Sequence, residues 1–181
     1  MTADEFFALS EPIEGGKMEL VCGRVVTMSP VGVEHGEVVA NLCDPLRRFT
    51  RERRLGAVLI ETGFRLRRNP DLVRAPDLSF VVAGRMPAAR ADRLRYFDGH
   101  PDLAIEVLSP DDRESEIAQK IDDYLAAGAE RVWIVGPKNR TVTVHRPGGD
   151  SHTYSGNDTL SSSDAAFSEP GFALPLPEIF A

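Results

Sequence analysis

No apolar run in the sequence comes near the ~20 residues that a bilayer-spanning helix requires, so no membrane segment is expected. Cysteine is scarce: Cys22 and Cys43 are too few and too far apart for a recognised metal cluster and read as reduced, buried thiols of a cytoplasmic protein. The opening MTADEFFALS is acidic and lacks the positive stretch of a secretory leader, so none is expected. A Gly-Gly-Lys string ends at Lys17, without the spacing or the following Ser or Thr of a phosphate loop. His35 and Glu37 form His-x-Glu, but no Pro-Cys-x-x-Cys follows, which excludes a zinc deaminase. Ser109 has neither a Gly-x-Ser-x-Gly elbow nor an identifiable histidine partner, so little supports a serine hydrolase.

At 181 residues the chain suits one domain, 1–181, burying roughly 70% of its unfolded surface, with 148–181 as a peripheral hairpin or loop and tail. A net charge of −7 argues against a protein that coats nucleic acid through charge alone. The charge is uneven, however. Between Arg47 and Arg95 stand thirteen arginines and five acids, a balance of +8 that leaves −15 on the remainder. That middle reads either as a phosphate-facing surface or as the solvated face and last turn of a helix.

Thr2 followed by Glu5 has the form of a capping box, so a short helix is expected over Ala3–Leu9, with Phe6, Phe7 and Leu9 inward and Gly15 and Gly16 ending the region. MELVCGRVVTM, from Met18 to Met28, reads as two short strands around Gly23, with Glu19 near its start. Val38, Val39, Leu42, Leu46 and Phe49 fall at helical spacing and set a helix over His35–Arg54. His35, alone near its N-terminus, reads as a structural hydrogen-bonding residue ahead of a ligand.

Strands are expected over Ala57–Leu66, Asp77–Val82 and Leu103–Leu108, and Glu61 of the first falls either on an acidic face or at an exposed edge. Gly84–Gly99 reads as a surface loop or a mobile short helix between the second and third of these strands. DDRESEIAQKIDDYLAAG is the clearest helix, with Ile117, Ile121, Tyr124 and Leu125 as its stripe and Gly128 as its stop. Glu130–Val135 and Thr141–His145 read as strands joined through PKNR, with Trp133 in the core. Gly148–Glu169 is polar enough to suggest a hairpin or loop of low stability, and the tail is expected to pack Phe172, Leu174 and Phe180 back onto the domain.

Chemistry is expected where this order sets charge among apolar strands. Leu103–Leu108 is apolar except for Glu106, as in a strand covered on both faces. An unpaired buried carboxylate is costly, so Glu106 needs a raised pKa or a positive partner. Asp77 stands at the mouth of a neighbouring strand, directly after Pro76. Two such carboxylates make an oxygen-rich site suited to a hard divalent cation. Lys120 lies at the margin of the helix stripe, where it would snorkel if alone and where Glu106 offers it a partner. Two carboxylates, a backbone carbonyl and a nearby cation are the parts that phosphodiester hydrolysis uses.

RAPDLSF, LAIEVLSPDDR, Lys120 with Tyr124, and GAERVWIVGP, preceded by MELVCGRVVTMSP and His35, resemble the Uma-two endonuclease group in order and spacing over nearly the whole chain. That group lies in the PD-(D/E)XK restriction-endonuclease-like superfamily. The resemblance implies an α/β fold, a restriction-endonuclease-like mixed β-sheet core flanked by helices, and Mg²⁺- or Mn²⁺-dependent cleavage of DNA. It makes Asp77 the motif aspartate and Glu106 the second metal ligand, with Val107 offering its carbonyl. The third motif position is Leu108 instead of lysine, so the lysine function would pass to Lys120 on the helix. Glu19 resembles a first-motif acid that positions water at the metal. Cys22, Arg24 and Gly136 depart from the group's pattern, all outside the metal pair.

Two functions of different classes follow. One is a metal-dependent DNA endonuclease whose arginines between 47 and 95 grip phosphates, with a homodimer suited to cutting two strands. The other is a non-catalytic nucleic-acid-binding or protein-interaction module on the same fold, which need not bind Mn²⁺.

Overall fold

Residues 1–9 and 17–181 are described by a computed structural model. Gly15 and Gly16, read above as ending the first helical region, lie outside the described residues. The helix itself, α1 (Ala3–Phe7), carries the expected capping box, with the Glu5 amide donating to Thr2 Oγ1 and the Thr2 amide to Glu5 Oε2. It stops two residues early. Only Ala3 and Phe6 are buried, against Leu20 and Val73, while Phe7 and Leu9 stay exposed, contrary to expectation.

Strands β1 (Lys17–Val21) and β2 (Arg24–Met28) pair as a hairpin around Cys22 and Gly23. Both turn residues have positive φ, 50° and 77°, the pattern of a tight two-residue loop. Helix α2 (Val33–Glu52) begins and ends two residues before its expected bounds and buries Val38, Leu42, Leu46 and Phe49.

The single strand expected over 57–66 is two strands. β3 (Gly56–Ile60) and β4 (Phe64–Arg67) lie in different sheets, and the chain turns between them at Glu61, whose φ is 47°. Gly63 makes that crossing possible, because a Cβ there would overlap the Tyr96 ring. Glu61 is exposed at the edge, its amide donating to the Asp77 backbone carbonyl at 3.2 Å.

The chain continues through β5 (Leu72–Arg74), β6 (Leu78–Val82), β7 (Phe97–Asp98), β8 (Leu103–Val107), α3 (Glu114–Ala127), β9 (Arg131–Gly136) and β10 (Thr141–His145). It closes with β11 (Ser151–Tyr154), β12 (Thr159–Ser161), β13 (Ala173–Pro175) and α4 (Leu176–Ile179). A six-stranded mixed sheet runs β11-β10-β9-β8-β6-β3, with β8 and β9 parallel and α3 as their crossover. A five-stranded sheet runs β2-β1-β5-β4-β7, and β12 pairs with β13 alone.

The six-stranded sheet is covered on both faces. On one, Leu42, Leu46 and Phe49 of α2 pack against Leu103, Ile105 and Val107; on the other, Tyr124 of α3 packs against Ala104 and Val132. Every residue of β8 is therefore buried, as its apolar sequence requires. Gly128 ends α3 in the left-handed conformation. The C-terminal segment is well integrated: Leu160, Ala165, Phe167, Phe172, Leu174 and Phe180 all join the principal core. Trp133 anchors it by donating its indole N–H to the Asp164 carbonyl at 2.7 Å. No helix of the described residues is long and apolar enough to cross a membrane.

Candidate active site

The alternation of β8 decides which way its one carboxylate points. Leu103, Ile105 and Val107 face α2, so Glu106 faces α3 with Ala104. The antiparallel register of β6 and β8 sets Leu78 opposite Ile105, so Asp77, just before β6, stands at the end of the ladder, close enough for its charge to act on Glu106. The Val107 amide closes this end of the ladder by donating to Asp77 Oδ2 at 2.8 Å.

Glu106 is 3% exposed. Lys120 Nζ donates to its Oε2 and the Tyr124 hydroxyl to its Oε1, each at 2.8 Å. Lys120 and Tyr124 are four residues apart on α3 and share one face. Burial pushes the Glu106 carboxyl up, with Lys120 opposing it. Burial works against the Lys120 ammonium too, yet the Glu106 charge holds its pKa above the ordinary lysine range. Burial and the adjoining carboxylate push the Tyr124 hydroxyl well up, so it stays a donor.

Asp77 has three neighbours. Lys17 Nζ, at the start of β1, donates to Oδ1 at 2.9 Å; the Val107 amide and His35 Nε2, the latter at 3.3 Å, share Oδ2. Burial alone would raise the Asp77 carboxyl, but His35, the Lys17 charge and the Val107 amide together hold it well below the usual carboxylate range. His35 is raised in turn by Asp77, against burial and Lys17, with the Val107 carbonyl adding to the pull. His35 Nδ1 is buried without a hydrogen-bond partner among the described residues.

Glu19, expected near these acids, is 1% exposed and engaged on both oxygens. Arg74 Nη1 donates to Oε2 at 2.8 Å and the Ala75 amide to Oε1 at 2.9 Å. Arg74 also holds Asp123 of α3 through Nε and Nη2, at 2.9 and 2.6 Å. Arg74 is thus an internal strut between two sheet strands and α3, away from any role at the surface. Arg65 and Arg68 are likewise tied to Asp98, and Arg85 to Asp102, so the thirteen arginines do not form one free basic face.

Lys17 and Arg74 were not singled out by their sequence, whereas His35, read as a structural hydrogen-bonding residue, does lie against Asp77 Oδ2. Lys17 carried a signal, since it lies two residues before Glu19 and so on the same face of a strand. Nothing local marks Arg74. Among the described residues no histidine hydrogen-bonds Ser109, whose amide instead donates to Asp112 Oδ2 in a turn.

Whether these residues suit a divalent cation can be asked of the donor set. Among the described residues no three His, Cys, Asp or Glu side chains converge as an ion-binding group. The two carboxylates and the Val107 carbonyl are hard oxygen donors, and Asp77 is ionised, as a metal ligand must be. Asp77 Oδ1 accepts from the Lys17 ammonium at 2.9 Å, so a positive charge already stands against that carboxylate. In kind these donors suit a hard divalent cation, and each of the four carboxylate oxygens already accepts from a protein donor. A hollow of about 900 Å³ lies elsewhere, lined by Cys43, Arg47, Arg51 and Ile60, and contains none of the acids.

The fold and sequence both have relatives. A crystal structure described as a putative nuclease belonging to DUF820, from Anabaena variabilis, superposes with a TM-score of 0.80, covering 99% of this chain and 97% of that one at 21% identity. At that identity the likeness establishes the fold alone, a mixed α/β architecture of strands flanked by helices. No curated protein matches. Residues 3–176, from α1 to the first residue of α4, match the Uma2 family, whose description is "Putative restriction endonuclease", and the chain belongs to that family.

Proposed function

We propose that the protein is a metal-dependent endonuclease that hydrolyses phosphodiester bonds in DNA. The observation that carries this reading is Asp77 held at the end of the β6–β8 ladder by the amide of Val107, the residue next in sequence to Glu106, with the Lys120 ammonium 2.8 Å from Glu106. Restriction-endonuclease-like families generally use divalent cations, and Asp77, Glu106 and the Val107 carbonyl would hold one here. When bound, the ion supplies charge neutralisation and lowers the pKa of water.

The chain's own groups do the rest. Lys120 holds positive charge near the acids and would offset the negative charge that builds on the phosphate. Glu19, fixed by Arg74 and the Ala75 amide on both of its oxygens, holds the backbone that leads into Asp77. One P–O bond forms from water, one ester P–O bond breaks, and the leaving oxygen takes a proton. A homodimer would bring two such sites to the two strands of a duplex.

Supercoiled plasmid incubated with Mg²⁺ or Mn²⁺ tests the reading. Nicked and linear products are expected with wild type and none with Asp77→Ala or with EDTA. Cleavage that survives Asp77→Ala rejects the site.

A second reading, a non-catalytic module on the same fold, is favoured by one feature: all four oxygens of Asp77 and Glu106 already receive protein donors. Calorimetry with Mn²⁺ separates the two, because the module need bind no metal.

A further inference from the structure

Asp77 has two oxygens and they are not equivalent. Oδ2 is held by the Val107 amide, a backbone donor that cannot leave without breaking the β6–β8 end, and by His35 from a helix. Oδ1 has a single donor, the Lys17 ammonium, at 2.9 Å. Oδ1 is therefore the oxygen an ion would take, and Lys17 sits on it. Divalent cations approach ligand oxygens to about 2.1 Å. An ammonium at hydrogen-bond distance from the same oxygen would be repelled at close range.

Lys17 is built to yield. Its charge sits at the end of an unbranched four-carbon stem, so rotamer changes alone can move it. Its side chain is 19% exposed, against 12% for Lys120, which shares its carboxylate with Tyr124 deep under α3. Of the two amines at the acids, Lys17 is thus the one nearer solvent and nearer any polyanion arriving there.

We propose, resting on the endonuclease reading above, that Lys17 is a second functional lysine: it neutralises Asp77 Oδ1 until an ion binds, gives up that oxygen, and turns to the phosphate under attack. Lys17 and Lys120 then divide the work, the first mobile and facing substrate, the second fixed on Glu106.

The test compares wild type with Lys17→Met, Lys17→Gln and Lys17→Arg, by Mn²⁺ calorimetry and by plasmid cleavage at saturating Mn²⁺, with thermal unfolding to show that each is folded. Removing the competing charge should tighten Mn²⁺ binding at least tenfold in Lys17→Met and Lys17→Gln, while Lys17→Arg stays at the wild-type affinity. Both neutral variants should nevertheless cleave at least tenfold more slowly. Mn²⁺ bound by wild type and no more tightly by the folded neutral variants overturns the inference alone, as does unchanged cleavage. If neither wild type nor any variant binds Mn²⁺, the endonuclease reading falls and this inference with it.

Discussion

Lys120 Nζ stands 2.8 Å from Glu106 Oε2, and the pair is nearly sealed from water, with side chains 12% and 4% exposed. Burying two charges costs desolvation, which their attraction offsets only with good geometry and further hydrogen bonds. The Tyr124 hydroxyl supplies such a bond on the other oxygen. Breaking the pair from one side leaves an uncompensated charge. Lys120→Met is expected to cost about 3–5 kcal/mol in urea unfolding, and the double variant Lys120→Met/Glu106→Gln markedly less than the sum of the two single losses. Additive losses would show that the two groups do not depend on each other.

Another buried carboxylate, Asp164, ties the C-terminal segment to the sheet. It accepts from Arg146 at 2.8 Å, from the Tyr154 hydroxyl at 2.7 Å, and from the Ser161 amide and hydroxyl at 2.9 and 2.6 Å. Burial alone would raise its pKa, but Ser161, Tyr154 and Arg146 outweigh burial and lower it. A depressed folded-state pKa contributes stability that is complete above the ordinary aspartate value of about 3.9 and is lost as pH falls through the folded value. Wild type should therefore lose stability below about pH 4 more steeply than Asp164→Asn. At pH 7 the variant should be weaker by about 2 kcal/mol, as expected for loss of charge-assisted hydrogen bonds. Urea midpoints across pH 2.5–7 (a range of roughly this width suffices) measure both.

How much of this was legible follows from how local each signal is. Glu106 announced itself as one acid in an apolar run, and Lys120 as one cation at the edge of a helix stripe, so their pairing could be read from a short stretch. The break in 57–66 could not. Leu59, Phe64 and Leu66 continue an apolar texture through it, while the turn depends on the backbone at Glu61 and on the Tyr96 ring beyond Gly63. Lys17 meets Asp77 from sixty positions away and Arg74 meets Asp123 from forty-nine, separations at which no spacing rule operates. The serines of 161–163 masked a segment whose Leu160 and Phe167 are core residues.

Gly56 opens β3 where the strand lies against β6. A Cβ added there would overlap the Val81 carbonyl and come within 2.8 Å of the Phe80 ring. Neither the backbone carbonyl nor a ring packed against Phe167 can move freely. Gly56→Ala is expected to destabilise by about 1–3 kcal/mol through overpacking, although alanine ordinarily favours a regular element over glycine. A thermal midpoint at or above the wild-type value would mean that β3 shifts outward at little cost.

His35 gives the sharpest separation of function from stability. Its Nε2 lies 3.3 Å from Asp77 Oδ2, but its Nδ1 is buried without a partner among the described residues, an arrangement that lowers stability. Replacing the ring by one without nitrogen removes that penalty, so folded His35→Phe should unfold at the wild-type temperature or above it. It also removes a donor that fixes the orientation of a proposed metal ligand, and such losses typically cost 10–100-fold (order of magnitude) in metal affinity. Mn²⁺ should therefore bind His35→Phe about 10–100-fold more weakly, the opposite sign to Lys17→Met although both residues touch the same carboxylate. Orientation and competition are different physical effects, and calorimetry on the two variants side by side distinguishes them. Equal Mn²⁺ affinity in His35→Phe and wild type would reduce His35 to a packing residue beside Asp77.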